Sequence, residues 1–230
     1  MHRYAIGDIH GGLQTFLALI RRISPRHDDR IYLLGDYIDR GPDSKGVLDA
    51  IISMQEAGCD IRPLRGNHDD MLLRSVTGDH DAFSWHWVKG WGSHTLLSFG
   101  LQTPAELPER YVNFLASLPL CYKDQDYLLV HAGLDMTKDD PLTETEPVQM
   151  LWGDASYLHR DTSYLKGATL ITGHKIRILD DIVLSCRSSH ICLDNGAFTS
   201  QQLEYGNLLA LNLDTLDMTI QPWLDGKAEF

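Results

Sequence analysis

The feature that most constrains this chain is an event repeated through its first seventy residues. A short apolar run stops, and a glycine follows with an acidic, amide or imidazole side chain beside it. Tyr4-Ala5-Ile6 leads into Gly7-Asp8-Ile9-His10-Gly11, Ile31 to Leu34 into Gly35-Asp36, and Ile61 to Leu64 into Gly66-Asn67-His68. Between the runs, Leu13 to Ile23 carries apolar residues at 13, 16, 17, 19, 20 and 23, which is helical spacing. Ser44 to Ala57 predicts a second helix, with Pro42 near its start and Gly58 just past its end. The pattern is βαβαβ, so parallel strands joined by right-handed crossovers are expected.

The remainder changes texture twice. Residues 71–118 read as helical and contain Trp85, Trp87 and Trp91. From Tyr127 onward short strands are expected at Tyr127 to Val130, Ala168 to Thr172, Ile182 to Leu184, His190 to Leu193, Leu208 to Leu213 and Met218 to Gln221. Turns at Asp194-Asn195-Gly196 and Asp214 to Asp217 suggest hairpins and a mixed or antiparallel second sheet. The expected fold class is α/β: two stacked mixed sheets flanked by helices. Residues 1–230 are read as one domain, with substrate specificity residing in the 71–118 segment.

In open α/β sheets, ligand-binding groups gather at the carboxyl ends of strands. The later strands repeat the habit of the first three, since Leu128-Leu129-Val130 ends at His131 and Leu170-Ile171-Thr172 at Gly173-His174. Oxygen and imidazole donors without cysteine suit Mn, Fe or Zn better than an all-oxygen Ca or Mg cage. A carboxylate such as Asp36 can bridge two cations. Two ions about 3.5–4 Å apart can share a hydroxide and grip both oxygens of an in-line displacement at phosphorus. Arg40 offers a planar fork for phosphate oxygens. His68 can protonate a leaving alkoxide, with Asp39 fixing its tautomer and raising its pKa.

The segments Gly7-Asp8-Ile9-His10-Gly11, Gly35 to Gly41, Gly66-Asn67-His68 and His131-Ala132-Gly133-Leu134 resemble the calcineurin-like metallophosphoesterases, and among them the phosphoprotein phosphatase branch. The resemblance runs from residue 4 to about residue 200. It implies a metallophosphatase sandwich holding two divalent ions, Mn²⁺ as the expected metal with Fe or Zn as alternatives. Asp8, His10 and Asp36 would ligate one ion, with Asp36 bridging; Asn67, His131 and His174 would complete the other site. His68 with Asp39 would be the general acid. Arg40, Asn67 and Arg160 would contact substrate phosphate, Arg160 following the family-like Leu151-Trp152-Gly153-Asp154 stretch. Asp69 stands where the family usually has glutamate, and Leu193 to Ala197 is similar to an Asp-Thr-Gly-Ala stretch of bacterial members. The implied activity is a serine/threonine protein phosphatase using a metal-bridging hydroxide, on a phosphorylated protein or peptide or a small phosphoester. The alternative is a symmetrical diadenosine tetraphosphate hydrolase; the compact length favours the phosphatase.

A net charge of −12 disfavours a nucleic-acid partner but not a phosphate substrate, because cations inside a carboxylate cluster make a locally positive site. No stretch approaches the roughly 20 apolar residues of a membrane helix. With no leader evident, a cytoplasmic location is the default expectation. Cys59, Cys121, Cys186 and Cys192 lack metal-type spacing and are expected as buried free thiols. His80, His86 and His94 match no ligand position, and the three central tryptophans are expected in the core. Arg65 divides evenly between loop support and substrate contact. Asp28-Asp29 and Asp139-Asp140 read as solvated loop charges, and Tyr37 has no assigned role.

Overall fold

The computed structural model describes residues 1–78, 82–154, 165, 167–199 and 204–226. In chain order the elements are β1 (Arg3–Ile6), α1 (Leu13–Ile23), β2 (Arg30–Leu33), α2 (Ser44–Glu56), β3 (Asp60–Pro63), α3 (Asn67–Thr77) and α4 (Ala82–His86). A π-helical turn, Trp87–Trp91, leads to α5 (Ser93–Phe99), a 3₁₀ turn at Pro104–Glu106, and α6 (Glu109–Ser117). Then come β4 (Cys121–Asp124), β5 (Tyr127–Val130), α7 (Pro141–Glu144), α8 (Pro147–Trp152), β6 (Thr169–Thr172), α9 (Leu179–Ser185), β7 (His190–Cys192), β8 (Asn207–Asn212) and β9 (Met218–Pro222).

Two mixed sheets result. The first has strand order β3-β2-β1-β8-β9, with β1, β2 and β3 parallel and β8 and β9 antiparallel. The second has order β4-β5-β6-β7, parallel except for the β4–β5 hairpin. Alternation along each strand explains the stacking. Ile31 and Leu33 of β2 join Phe16, Leu19, Val47, Leu48 and Ile51 in a cluster with the helices. Tyr32 and Leu34 point the other way and meet Leu129, Ile171 and Ile191 between the sheets. Leu128, Val130 and Leu170 cover the far face of the second sheet with Met150 and Leu165. Strands sandwiched in this way are buried on both faces, which is why they read as continuous apolar runs.

The carboxyl ends of β1, β2 and β3 lie side by side because these strands are parallel and in register, Ile6 opposite Leu33 and Leu33 opposite Pro63. The carboxyl ends of β5 and β6 lie at the same edge of the stack, with Gly173 N donating to His131 O (2.8 Å) just beyond them. Loop knitting follows: His10 N and Ile9 N both donate to Asp36 O, and Gly41 N donates to His10 O at 2.9 Å.

Two expectations are corrected, and one strand lies where none was expected. Ile182 to Leu184 is not a strand but part of α9, where Ile182 alone is buried and Asp180 and Asp181 sit in the first turn, favourable to the helix dipole. Strand β4 escaped the sequence reading because Cys-Tyr-Lys-Asp is only partly apolar and holds the edge of its sheet. Asp29 is not a solvated loop charge: it is 4% exposed and accepts from His2 N and Arg26 N. The four cysteines are free, with Cys192 buried and the others half-buried. Among the described residues no helix is long and apolar enough to cross a membrane.

Candidate active site

The site begins as backbone strain. Eight non-glycine residues among those described have positive φ, and five of them are His10, Asp36, Asp39, Arg40 and His174. Left-handed backbone at such residues costs roughly 1–3 kcal/mol each and persists where the surroundings over-determine it. Here it turns successive side chains of short loops toward one point. Close packing fixes the loops further. A Cβ on Gly66 would collide with the Asp36 carboxylate, and one on Gly173 with Asp8 Oδ1, so glycine is required at both positions.

Asp36 is shared by two groups of potential ligand atoms. It lies with His10 and His68 in one and with His131 and His174 in the other, each group within 4.8 Å. The imidazoles are oriented from behind. His10 Nδ1 meets Ile38 O at 3.0 Å and His131 Nδ1 meets Leu34 O at 2.8 Å, which directs both Nε2 atoms to the interior. His10 Nε2 is then 3.6 Å from Asp36 Oδ2, and His131 Nε2 is 3.5 Å from Asp36 Oδ1. Asn67 Oδ1 lies 2.8 Å from His131 Nε2 and 3.0 Å from His174 Nδ1. With its Nδ1 hydrogen on Leu34 O, a neutral His131 offers only a lone pair to Asn67 Oδ1. Two acceptors converging in this way fit a shared cation.

Electrostatics agree. Asp8 accepts from His174 N at 2.9 Å through Oδ2, while its buried Oδ1 has no partner. An orphaned carboxylate oxygen is costly unless a cation or donor meets it. Burial, reinforced by the Asp194 and Asp36 charges, pushes the Asp8 carboxyl well above the usual range. Burial drives Asp194 up to about 7. It also lowers His10 and His174 to about 3 and pulls His131 downward, so these rings are neutral at physiological pH and need lose no proton to ligate. The donor set thus fits two divalent cations.

Beside this floor stand the residues read as acid and clamp. His68 Nδ1 and Asp39 Oδ2 are 2.6 Å apart, both side chains buried. Burial pulls the His68 pKa down, but Asp36 and the Asp39 bond outweigh it and hold the ring above its ordinary value. Arg40 lies 5.3 Å over the Phe198 ring, and its buried Nε has no partner. His10, Asp36, Arg40, Asn67, His68 and His174 line one cavity of about 190 Å³, rimmed by Trp91, Trp152, Phe198 and Ile176. A larger cavity of about 340 Å³, between α9 and β7, contains none of the ligand set.

Of the residues singled out from sequence, Asp8, His10, Asp36, Asp39, Arg40, Asn67, His68, His131 and His174 converge; Arg160 and His80 lie outside the described residues. His68 comes closer to the His10–Asp36 group than an acid separate from the ligands would suggest, its ring 4.9 Å from that of His10. The expectation that Trp85, Trp87 and Trp91 share the core holds only for Trp87. Trp85 is 56% and Trp91 43% exposed. Arg65 supports its loop, donating to Ala116 O at 2.8 Å and to Asp70. Tyr37 donates its hydroxyl to Leu64 O, tying the second loop to the third.

Asp69 does more than its sequence position disclosed. Fully buried, it accepts from Asp36 N, Tyr37 N and Gly66 N, so one carboxylate shapes two ligand loops. Asp69→Ala is expected to strand three buried N–H groups and cost about 2–4 kcal/mol of stability, read as a lowered denaturation midpoint; an unchanged midpoint contradicts this.

The model of the calcineurin-like phosphoesterase family matches residues 1–184. Curated relatives include the symmetrical bis(5'-nucleosyl)-tetraphosphatases of Dechloromonas aromatica (strain RCB), 35% identical over 58% of this chain and 44% of that protein, and of Pectobacterium atrosepticum, 31% identical over 71% and 56%. The chain spans about half the length of the curated relatives it matches. Among solved structures, a candidate diadenosine tetraphosphatase superposes with a TM-score of 0.70 at 19% identity, covering 98% of this chain and 95% of that one. A Saccharomyces cerevisiae serine/threonine phosphatase superposes with a TM-score of 0.64 at 16% identity, covering 98% and 81%. The family match over most of the chain, on a fold that gathers these side chains at one edge, shows that the protein belongs to the calcineurin-like phosphoesterases.

Proposed function

We propose that the protein hydrolyses symmetrical dinucleoside tetraphosphates, with Asp8, His10, Asp36, Asn67, His131 and His174 holding two divalent cations. The observation that carries this reading is the Asp36-centred pair of ligand groups opening onto a cavity that also holds Arg40 and an aromatic rim. The cation pair supplies activation of the attacking water and neutralisation of phosphate charge. Arg40, guanidinium nitrogen still unpartnered, grips phosphate oxygens. His68, its Nδ1 engaged by Asp39, presents Nε2 to the bridging oxygen that departs. Attack at one inner phosphorus breaks the central P–O–P link, and water supplies the oxygen that completes the second of two nucleoside diphosphates.

The rim favours a dinucleotide over a phosphopeptide. Trp91 lies beside His68 (ring centroids 6.2 Å) and stacks on His86 (5.8 Å, 23°), which meets Trp85 edge-on at 5.1 Å. These rings step outward from the cavity and offer half-exposed faces to a base, a contact worth about 1–3 kcal/mol. The named relatives act on such tetraphosphates. Compact length no longer argues for a protein phosphatase, since the fold covers 95% of a candidate diadenosine tetraphosphatase.

The test is product analysis with Mn²⁺-loaded protein offered diadenosine tetraphosphate and, separately, a phosphoserine peptide. ADP as sole nucleotide product, with the higher kcat/KM on the dinucleotide, is expected. ATP plus AMP, or preference for the peptide, overturns the reading, the latter in favour of the protein phosphatase. Trp91→Ala is expected to raise KM for the dinucleotide about tenfold more than KM for p-nitrophenyl phosphate; equal changes contradict a base-stacking role.

A further inference from the structure

The helical middle of the chain reaches under the proposed proton donor. Asp39 is fully buried, and buried carboxyl oxygens are costly unless they are hydrogen-bonded. Its Oδ2 accepts from His68 Nδ1 (2.6 Å) and from the indole Nε1 of Trp87 (2.7 Å), and its Oδ1 accepts from the Thr95 hydroxyl (2.5 Å). The Thr95 oxygen lies 3.0 Å from Ser44 Oγ, and both oxygens are 3.0 Å from the Asp39 N–H. Three segments therefore grip one residue whose own backbone is left-handed: the first residue of α2 through the Ser44 hydroxyl, the π turn through Trp87, and α5 through Thr95.

The placement of Trp87 is built rather than incidental. The indole is completely buried, and Gly92 packs so closely that a Cβ there would lie inside contact distance of the ring. The π-helical turn Trp87–Trp91 brings the indole to that position, and such turns concentrate at functional sites. Trp91 from the same turn lines the cavity, so one short turn serves both the rim and the underside of the acid.

We infer that Trp87 and Thr95 are positioning residues for proton donation, locking the Asp39 carboxylate so that Oδ2 faces His68 Nδ1 and Nε2 is held toward the leaving oxygen. The inference rests on the reading of His68 as proton donor. A carboxylate released from the indole and hydroxyl rotates about its terminal torsion, which is broad and roughly two-fold. The His68 ring then loses its fixed orientation. Proton transfer in the transition state demands that geometry, whereas binding and cation ligation do not.

The experiment compares kcat/KM for phenyl phosphate, whose leaving group needs a proton, with that for p-nitrophenyl phosphate, which departs readily as an anion. Mn²⁺-loaded wild type, W87F, T95V, T95S and H68N are measured together. H68N is expected to depress the phenyl/p-nitrophenyl ratio most. W87F and T95V are expected to depress it about tenfold, chiefly through kcat, and T95S, which keeps the hydroxyl, to restore it. If W87F fails to fold, T95V against T95S decides. A ratio unchanged in T95V, or equal losses on both substrates, overturns the positioning role while leaving His68 as donor. A ratio unchanged in H68N removes the donor itself, and the inference falls with it.

Discussion

Asp36→Ala is expected to abolish turnover and empty both cation sites together. Asp36 is the single carboxylate common to the two ligand groups, and its Oδ1 also accepts from His68 N at 2.9 Å. Its removal would take a ligand from each proposed ion and loosen the turn that carries Asn67 and His68. Loss of several kcal/mol of charge stabilisation in the transition state corresponds to a fall in kcat/KM on the order of 10³–10⁴. Elemental analysis should find about two ions per wild-type chain and far fewer in the variant. Retention of both ions in D36A, or turnover within tenfold of wild type, contradicts a bridging role.

The second large effect is expected at His68. His68→Asn keeps a polar side chain of similar reach but cannot donate a proton as an imidazolium does. A drop of about 10²–10⁴ in kcat is expected, with metal content retained. The size depends on the substrate. A nucleoside diphosphate leaves as a stabilised anion and draws less on the donor than an alkoxide, so the dinucleotide should sit at the low end and an alkyl phosphate at the high end. Loss of metal in this variant instead places His68 among the ligands, as its closeness to His10 and Asp36 allows.

The sequence carried the first half of the fold and most of the site for one physical reason. The buried stretches of the central parallel strands are apolar, and even the edge strand β3 ends on Pro63, followed by Leu64, so the change to Gly-Asp, Gly-Asn or Gly-His beyond their carboxyl ends is abrupt and visible. Periodicity located α1 and α2 within a residue or two of their ends. The same signal failed for Ile182 to Leu184, where three apolar residues cannot separate a strand from a helical turn. It failed at Cys121–Asp124, an edge strand with one face toward solvent.

Contacts made through the third dimension were not legible. Asp69 looked like a conservative replacement beside Asn67-His68, yet two of its three hydrogen bonds reach back to residues 36 and 37, and the third holds Gly66 N. Trp87 and Thr95 stand 48 and 56 residues from Asp39, with no spacing rule to link them. The three tryptophans read as core packing, but the π turn sends only Trp87 inward and Trp91 to the cavity. The rim contributed by Phe198 and Trp152 had only weak forerunners, in the segments around Asp194 and Leu151.

Anomalous diffraction from crystals loaded with Mn²⁺ reads the proposed centre most directly. Two peaks about 3.5–4 Å apart are expected, one against His10 and Asp36 with Asp8 nearby, the other among Asp36, Asn67, His131 and His174. A single peak elsewhere, or six ordered side chains with no peak between them under saturating metal, contradicts the dinuclear centre.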